Sequence, residues 1–228
     1  RGGKTNALVL GGLGYVITCA PDDALVVHMS QDTARDWSRK ELDRLIRNSP
    51  EIAARMSPRP RDDNTYDKFF RSGMVLKIGW PSVAQLSGKT LRYVIYTDYD
   101  RPECRDDVDG EGSLWSLGFK RITTLMSRGK CLAESSPGGA FDKPEWKPST
   151  PHEAPPASGI CSIYNLGTRA WWYWPCVHCG EYFPDRPGPA AYALPEFEEL
   201  EALVVKHDLA TLAERFAKVA CPHCGSVH

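Results

Sequence analysis

The chain has 228 residues, 42% of them apolar and 10% aromatic, with a formal net charge of -1. That apolar content suffices for one large domain or one domain plus a small module, and the near-neutral total excludes a global pull toward polyanions, so nucleic-acid contacts need locally clustered cations. No run approaches the roughly 18 apolar residues that span a bilayer and no charged-then-apolar signal opens the chain, so the sequence reads as a soluble intracellular protein.

The first residues, Arg1-Gly2-Gly3-Lys4-Thr5, carry the last part of a phosphate-binding loop of the form G-x-x-x-x-G-K-[ST]. In such a loop backbone N–H groups wrap the phosphates, the lysine neutralises the terminal ones and the hydroxyl ligates magnesium. Only Gly3-Lys4-Thr5 is present, so the sequence is expected to be truncated within the loop. Gly88-Lys89-Thr90 repeats the tripeptide, but a buried strand follows it where a helix should.

A helix is predicted from Thr5 to about Ile17, then a buried strand at Ala24–Met29. Ser30 or Asp32 caps a helix over Thr33–Asn48, with Ala34, Trp37, Leu42, Leu45 and Ile46 on one side. Arg35, Arg39, Lys40, Arg44, Arg47, Arg55, Arg59 and Arg61 concentrate positive charge here, either as a track for a DNA backbone or as a solvated face offset by Asp32, Asp36, Glu41 and Asp43. Further strands are predicted at Met74–Ile78, Tyr93–Tyr96 and Lys130–Glu134, with a helix at Leu114–Met126. Strands alternating with helices give an α/β fold with a mostly parallel sheet, which places ligands at the carboxyl ends of its strands.

Tyr93–Tyr96 delivers Asp98, with Asp100 two positions on, as magnesium needs a carboxylate opposite the phosphates. No adjacent acidic pair stands at this strand end. Either Asp98 holds magnesium and Asp100 takes the place of the missing neighbour, or Thr97 occupies the first position and Asp98 polarises the attacking water.

Prolines at 137, 144, 148, 151, 155 and 156 make Ser135–Gly159 a long loop. Strand-like tracts are predicted at Ile160–Tyr164 and Ala170–Trp174. Cys176-x-x-Cys179 and Cys221-x-x-Cys224 form two hooks suited to one tetrahedral zinc, each followed by a glycine. Between them Leu194–Val219 reads as an amphipathic helix or helical pair. The run Trp171-Trp172-Tyr173-Trp174 is expected to pack on the zinc knuckle; stacking on nucleic-acid bases is the other reading. The single cysteines, Cys19, Cys104, Cys131 and Cys161, read as small buried hydrophobes.

Taken in order, Gly3-Lys4-Thr5, Thr97-Asp98-Tyr99-Asp100-Arg101, Gly110-Glu111-Gly112-Ser113, Lys120-Arg121, Ala133-Glu134-Ser135-Ser136-Pro137-Gly138 and the aromatic run into Cys176-Val177-His178-Cys179-Gly180 resemble the large terminase subunit of lambda-like tailed phages. The resemblance covers nearly the whole chain. It implies a P-loop-type ATPase core over 1–165, N-terminally truncated and carrying the proline-rich loop 137–159, then a zinc-knuckle module with a helical insertion over 166–228. The family's nuclease domain is expected to be absent. Also implied are ATP and Mg2+ as cofactors beside the structural Zn2+, Ser135 and Ser136 as the segment coupling hydrolysis to DNA movement, and Arg1, with Arg121 as second candidate, offsetting charge on the transferred phosphoryl group. The implied setting is the host cytoplasm, with double-stranded DNA, a small terminase subunit and the portal or prohead as partners, in an oligomer. Alternatives are another P-loop translocase or helicase, or a non-catalytic zinc-stabilised module for DNA binding or assembly.

Overall fold

The computed structural model describes residues 5–101, 107–138, 141, 143, 145–184, 192–193, 197–216 and 218–228. The chain divides into two compact units, Arg1–Thr168 and Arg169–His228.

The first unit is built on a five-stranded sheet in the order β2-β3-β1-β4-β5, formed by β1 (Ala24–Val27), β2 (Asp67–Phe69), β3 (Val75–Gly79), β4 (Tyr93–Thr97) and β5 (Lys130–Glu134). β3, β1, β4 and β5 run parallel, and only β2 is antiparallel. Every residue of β1 and β4 is buried, as their unbroken apolar runs require of strands covered on both faces. Alternate side chains feed two core layers. Val26, Ile78, Tyr93 and Ile95 pack with Leu13, Val16 and Ile17 of helix α1 (Gly11–Cys19), whereas Leu25, Val27, Val94 and Tyr96 pack on the other face. The segment Thr5–Leu10, wound as a π-helix, leads into α1 and packs against β4.

Helix α2 (Gln31–Trp37) begins on a capping box: Ser30 Oγ accepts from the Thr33 amide and Thr33 Oγ1 accepts from the Ser30 amide. A π-helical stretch, Ser38–Leu42, joins it to α3 (Asp43–Asn48). Pro50 opens a further short turn, α4 (Pro50–Ala53), where its missing N–H costs nothing.

β2 has no apolar signature, and its central Lys68 is buried. A lone buried ammonium is disfavoured by several kcal/mol, and here Asp43 and Asp63 answer it at 2.8 and 2.5 Å. The pairs tie β2 to the start of α3 and to the preceding turn.

The short α5 (Val83–Leu86) precedes β4, and α6 (Leu114–Ile122), capped by Ser113 Oγ on the Ser116 amide, follows it. The predicted helix to Met126 ends earlier, since Met126 adopts φ 49° within a closing 3-10 turn. Tyr96 donates its hydroxyl to the Leu114 carbonyl at 2.6 Å, and Gly118 lets α6 approach that close: a Cβ there would lie 1.8 Å from the Tyr96 oxygen.

The tract Ile160–Tyr164, predicted as strand, is instead the start of helix α7 (Ile160–Leu166). A five-residue apolar run has no periodicity to separate strand from helix, and a distant carboxylate that accepts the Ile160 N–H decides the matter.

The second unit holds two small antiparallel ribbons, β6 (Tyr173–Pro175) with β7 (Tyr182–Pro184) and β8 (Tyr192–Ala193) with β9 (Lys218–Val219). Between β8 and β9 run α8 (Phe197–Lys206) and α9 (Leu209–Phe216), the helical pair expected of the insertion. Leu194 lies outside the described residues. Among those residues no helix is long and apolar enough to cross a membrane.

Candidate functional site

On the α1 face of the sheet, register aligns side chains into rungs across β1, β4 and β5. Val26, Ile95 and Leu132 form an apolar rung. At the carboxyl edge the next rung is polar: Thr97 is the partner of Glu134, and His28, directly after β1, sits 2.8 Å by its Nδ1 from Thr97 Oγ1. Each of the three is 5% exposed or less. Thr97 Oγ1 also donates to the Val27 carbonyl at 3.3 Å, and among the described residues His28 Nε2 has no hydrogen-bond partner. Burial pushes the His28 pKa down to about 4, so its ring is neutral at pH 7.

Asp98 follows as the exposed tip of β4, at φ 51°. Aspartate tolerates this left-handed conformation better than most residues. The turn it makes sends Tyr99 into the second core layer and brings Asp100 back under cover.

Asp100 is committed to backbone. Its Oδ2 accepts the Gly138 N–H at 2.7 Å and its Oδ1 accepts the Ile160 N–H at 2.5 Å, so one carboxylate holds both ends of the proline-rich excursion. Its own amide donates to Ser135 Oγ at 2.9 Å, and that hydroxyl donates to the Ser136 carbonyl. The geometry is that of a clamp. Cys161, next to it, has a raised pKa, first from burial and then from the Asp100 charge, and burial lifts Cys131 to about 12, so both thiols are inert.

Of the residues expected around the phosphates, Arg1, Gly3 and Lys4 lie outside the described residues, and Thr5 opens the π-helical segment. Asp98, Asp100 and Ser135 are brought together at the β4 and β5 ends, with Ser136 exposed beside them. Arg121 is not: its carbonyl accepts the Leu91 N–H ahead of β4, which places it at the amino end of the strand that delivers Asp98 from its other end. Gly88-Lys89-Thr90 likewise precedes β4, and Lys89 donates to the Gln85 carbonyl. Sequence reasoning missed His28 and Glu134. The signal was available, since each is a polar residue ending an apolar strand, as Asp98 is.

In the second unit the four sulfurs of Cys176, Cys179, Cys221 and Cys224 all lie within 4.8 Å of one another. Cys176–Cys224 and Cys179–Cys221 are separated by 3.7 and 3.8 Å. Zinc–sulfur bonds of ~2.3 Å in a tetrahedron give sulfur separations of about 3.8 Å, so the donor set fits one such ion. The two hooks are built alike: the Gly180 N–H returns to the Cys176 carbonyl and the Gly225 N–H to the Cys221 carbonyl, each at 2.9 Å, with both glycines at positive φ. His178 and His223 are exposed; the groups beside the cluster are Ser226 Oγ and His228 Nε2, 3.5 and 3.3 Å from Cys176 Sγ. The Cys176 pKa is lowered to about 4, chiefly by the Cys179 N–H and then by Ser226.

Among the described residues, Phe183 and Val219 pack the knuckle, while Trp172 and Trp174 are 74% and 50% exposed and meet edge to face. Cross-strand partnership with Phe183 puts Trp174 on the ribbon but leaves its ring at the surface.

The family model described as phage terminase large subunit gpA, ATPase domain, matches residues 1–228. Among solved structures, the large terminase of bacteriophage HK97 is similar at 12% identity and a TM-score of 0.42, over 60% of this chain and 28% of that one. The chain thus spans less than a third of the length of that terminase. No curated protein matches.

Proposed function

The chain belongs to the phage terminase large subunit gpA ATPase-domain family, and from that premise we propose that it is the ATP-hydrolysing segment of a motor that drives double-stranded DNA into proheads. The observation that supports this best is the carboxyl edge of the parallel sheet. There Asp98 stands exposed beside the buried His28–Thr97–Glu134 row, on the sheet whose β4 is packed by the segment following Gly3-Lys4-Thr5. Phosphate chemistry needs little covalent help from a protein and much placement of charge.

In this reading the Gly3 amide and Lys4 neutralise the terminal phosphates and Thr5 offers its hydroxyl to magnesium, which when bound neutralises charge between those phosphates. Asp98 orients the attacking water from the rim, and Arg1 offsets charge on the transferred group. Asp100 acts as a structural clamp, with Ser135 and Ser136 joining the strand ends to the proline-rich strap. The zinc held by Cys176, Cys179, Cys221 and Cys224 stabilises the second unit.

Arg39, Arg44, Arg47, Arg59 and Arg61 are exposed cations available to a DNA backbone, whereas Arg35 and Lys40 pair with Asp32 and Asp36. A small terminase subunit, the portal and further copies of the chain complete the proposed assembly in the host cytoplasm. The test is ATP turnover by the full-length protein and its Lys4→Ala variant. Turnover that Lys4→Ala abolishes supports the assignment, and equal turnover by both proteins sinks it.

A further inference from the structure

Each unit carries an exposed surface that is apolar and of one charge, and the two charges are opposite. On the first unit, the stretch from Leu114 to Ala133 contains Lys120, Arg121, Arg128 and Lys130 and no acidic residue. Trp115 and Phe119, four apart on α6, stack at 6.3 Å and leave the Phe119 ring 49% exposed. In the turn that closes α6, Met126 is 84% exposed at φ 49°, ψ -126°. Strain of this kind persists only where the surrounding structure holds it, and here it keeps an adaptable thioether in solvent. Cations converge on the same turn: the Lys130 ammonium donates to the Ser127 carbonyl at 3.0 Å, and Arg92 Nε to the Arg128 carbonyl at 3.3 Å. Among the described residues no carboxylate pairs with Lys120, Arg128 or Lys130.

On the second unit, α8 carries Glu198, Glu199 and Glu201 and no cation before Lys206. Leu200 and Val204 lie four apart, as do Glu201 and Val205, which makes two neighbouring rows on one side of the helix. All four are exposed, Val205 by 87%. The packing of the helical pair uses other residues: Leu212 is buried, and Phe216 meets the His207 ring. Apolar rows left in water mark a contact surface when polar groups rim them, and a carboxylate rim is complementary to a cationic one. A nucleic-acid backbone would match the cations of the α6 face but not Phe119 or Met126, so the complement favours protein.

We propose that α8 of one copy of the chain docks on the α6 face, from Phe119 to Lys130, of a second copy. Leu200, Val204 and Val205 cover Phe119 and Met126, and Glu201 faces the cations. The contact joins two different surfaces, so it is heterologous: every copy keeps one half free for the next, and copies add head to tail until a ring closes. This goes beyond the motor reading and stands apart from it, because the association needs no nucleotide.

Sedimentation velocity of the zinc-loaded full-length protein, without nucleotide or DNA, is expected to show mass rising with concentration. Glu199→Lys with Glu201→Lys in one variant, and Lys120→Glu with Arg128→Glu in another, should each weaken self-association at least about tenfold. Mixed in equal amounts the two variants should associate again, since the reversed α8 of one meets the reversed α6 face of the other. That recovery also shows both variants to be folded. A wild type that stays monomeric, the result expected if α8 is occupied within its own copy, overturns the proposal, as does a mixture that stays dissociated. Weaker DNA retention by Lys120→Glu with Arg128→Glu at unchanged sedimentation assigns the α6 face to nucleic acid and overturns it too.

Discussion

Gly159 lies so close to Asp100 that a Cβ added to it would fall 2.0 Å from the Asp100 Oδ1. The backbone there is at φ +77°, a conformation other residues rarely adopt. Gly159→Ala is therefore expected to drive the carboxylate off the Ile160 and Gly138 amides and to destabilise the first unit by about 2–4 kcal/mol, from backbone strain and lost charged hydrogen bonds together. Urea unfolding measures the cost, and hydrogen exchange should show those two amides exposed while β1 and β4 stay protected. Asp100→Ala removes the clash as well as the acceptor, so the double variant should cost less than the sum of the singles. Additive costs would contradict the clamp.

His28 predicts the pH dependence of stability. Its pKa is about 4 in the folded chain against 6.5 for an unperturbed histidine, because burial disfavours the charged ring. The folded state thus binds fewer protons than the unfolded state between those values, so the contribution is fully present above pH 6.5 and is lost as pH falls toward 4. The loss amounts to about 3 kcal/mol from this residue. His28→Gln should flatten the difference in urea midpoint between pH 7 and pH 4.5; an unchanged slope would show that the ring is not held neutral.

The cysteine cluster predicts one zinc per chain by elemental analysis, with Co2+ substitution giving the absorption bands of a tetrahedral thiolate site. Cys221→Ser, or a chelator, should remove amide protection from the β6–β7 ribbon and leave β1 and β4 protected, since the metal supplies folding energy locally. A protein purified without metal, and insensitive to chelator, would reduce the four cysteines to free thiols.

The sheet was legible where it is apolar. Ala24–Met29 and Tyr93–Tyr96 announce β1 and β4 because a strand covered on both faces needs an uninterrupted apolar run. β2 was not legible, since Asp67-Lys68-Phe69 is three residues long and its lysine is buried only by virtue of Asp43 and Asp63. α7 was assigned the wrong type for a related reason: the group that starts it, Asp100, is 60 residues away along the chain. At the candidate site, strand-end acidity pointed to Asp98, but the relation of Glu134 to Thr97 exists only in the register of two strands. The cysteine hooks were the most legible feature, because their chemistry is written in spacing alone and needs no long-range partner to be recognised.

The hydroxyl of Tyr96, resting on the Leu114 carbonyl with Gly118 beneath it, keys α6 to the centre of the sheet. A keyed helix cannot slide: a shift of one residue along its axis, about 1.5 Å, would carry a side chain into the phenol and strand its hydroxyl from its acceptor. In the proposed motor, a stroke starting at the sheet's carboxyl edge would therefore bypass translation of α6 and pass through the rim, by way of the turn at Asp98 and the strap that Asp100 holds at both ends.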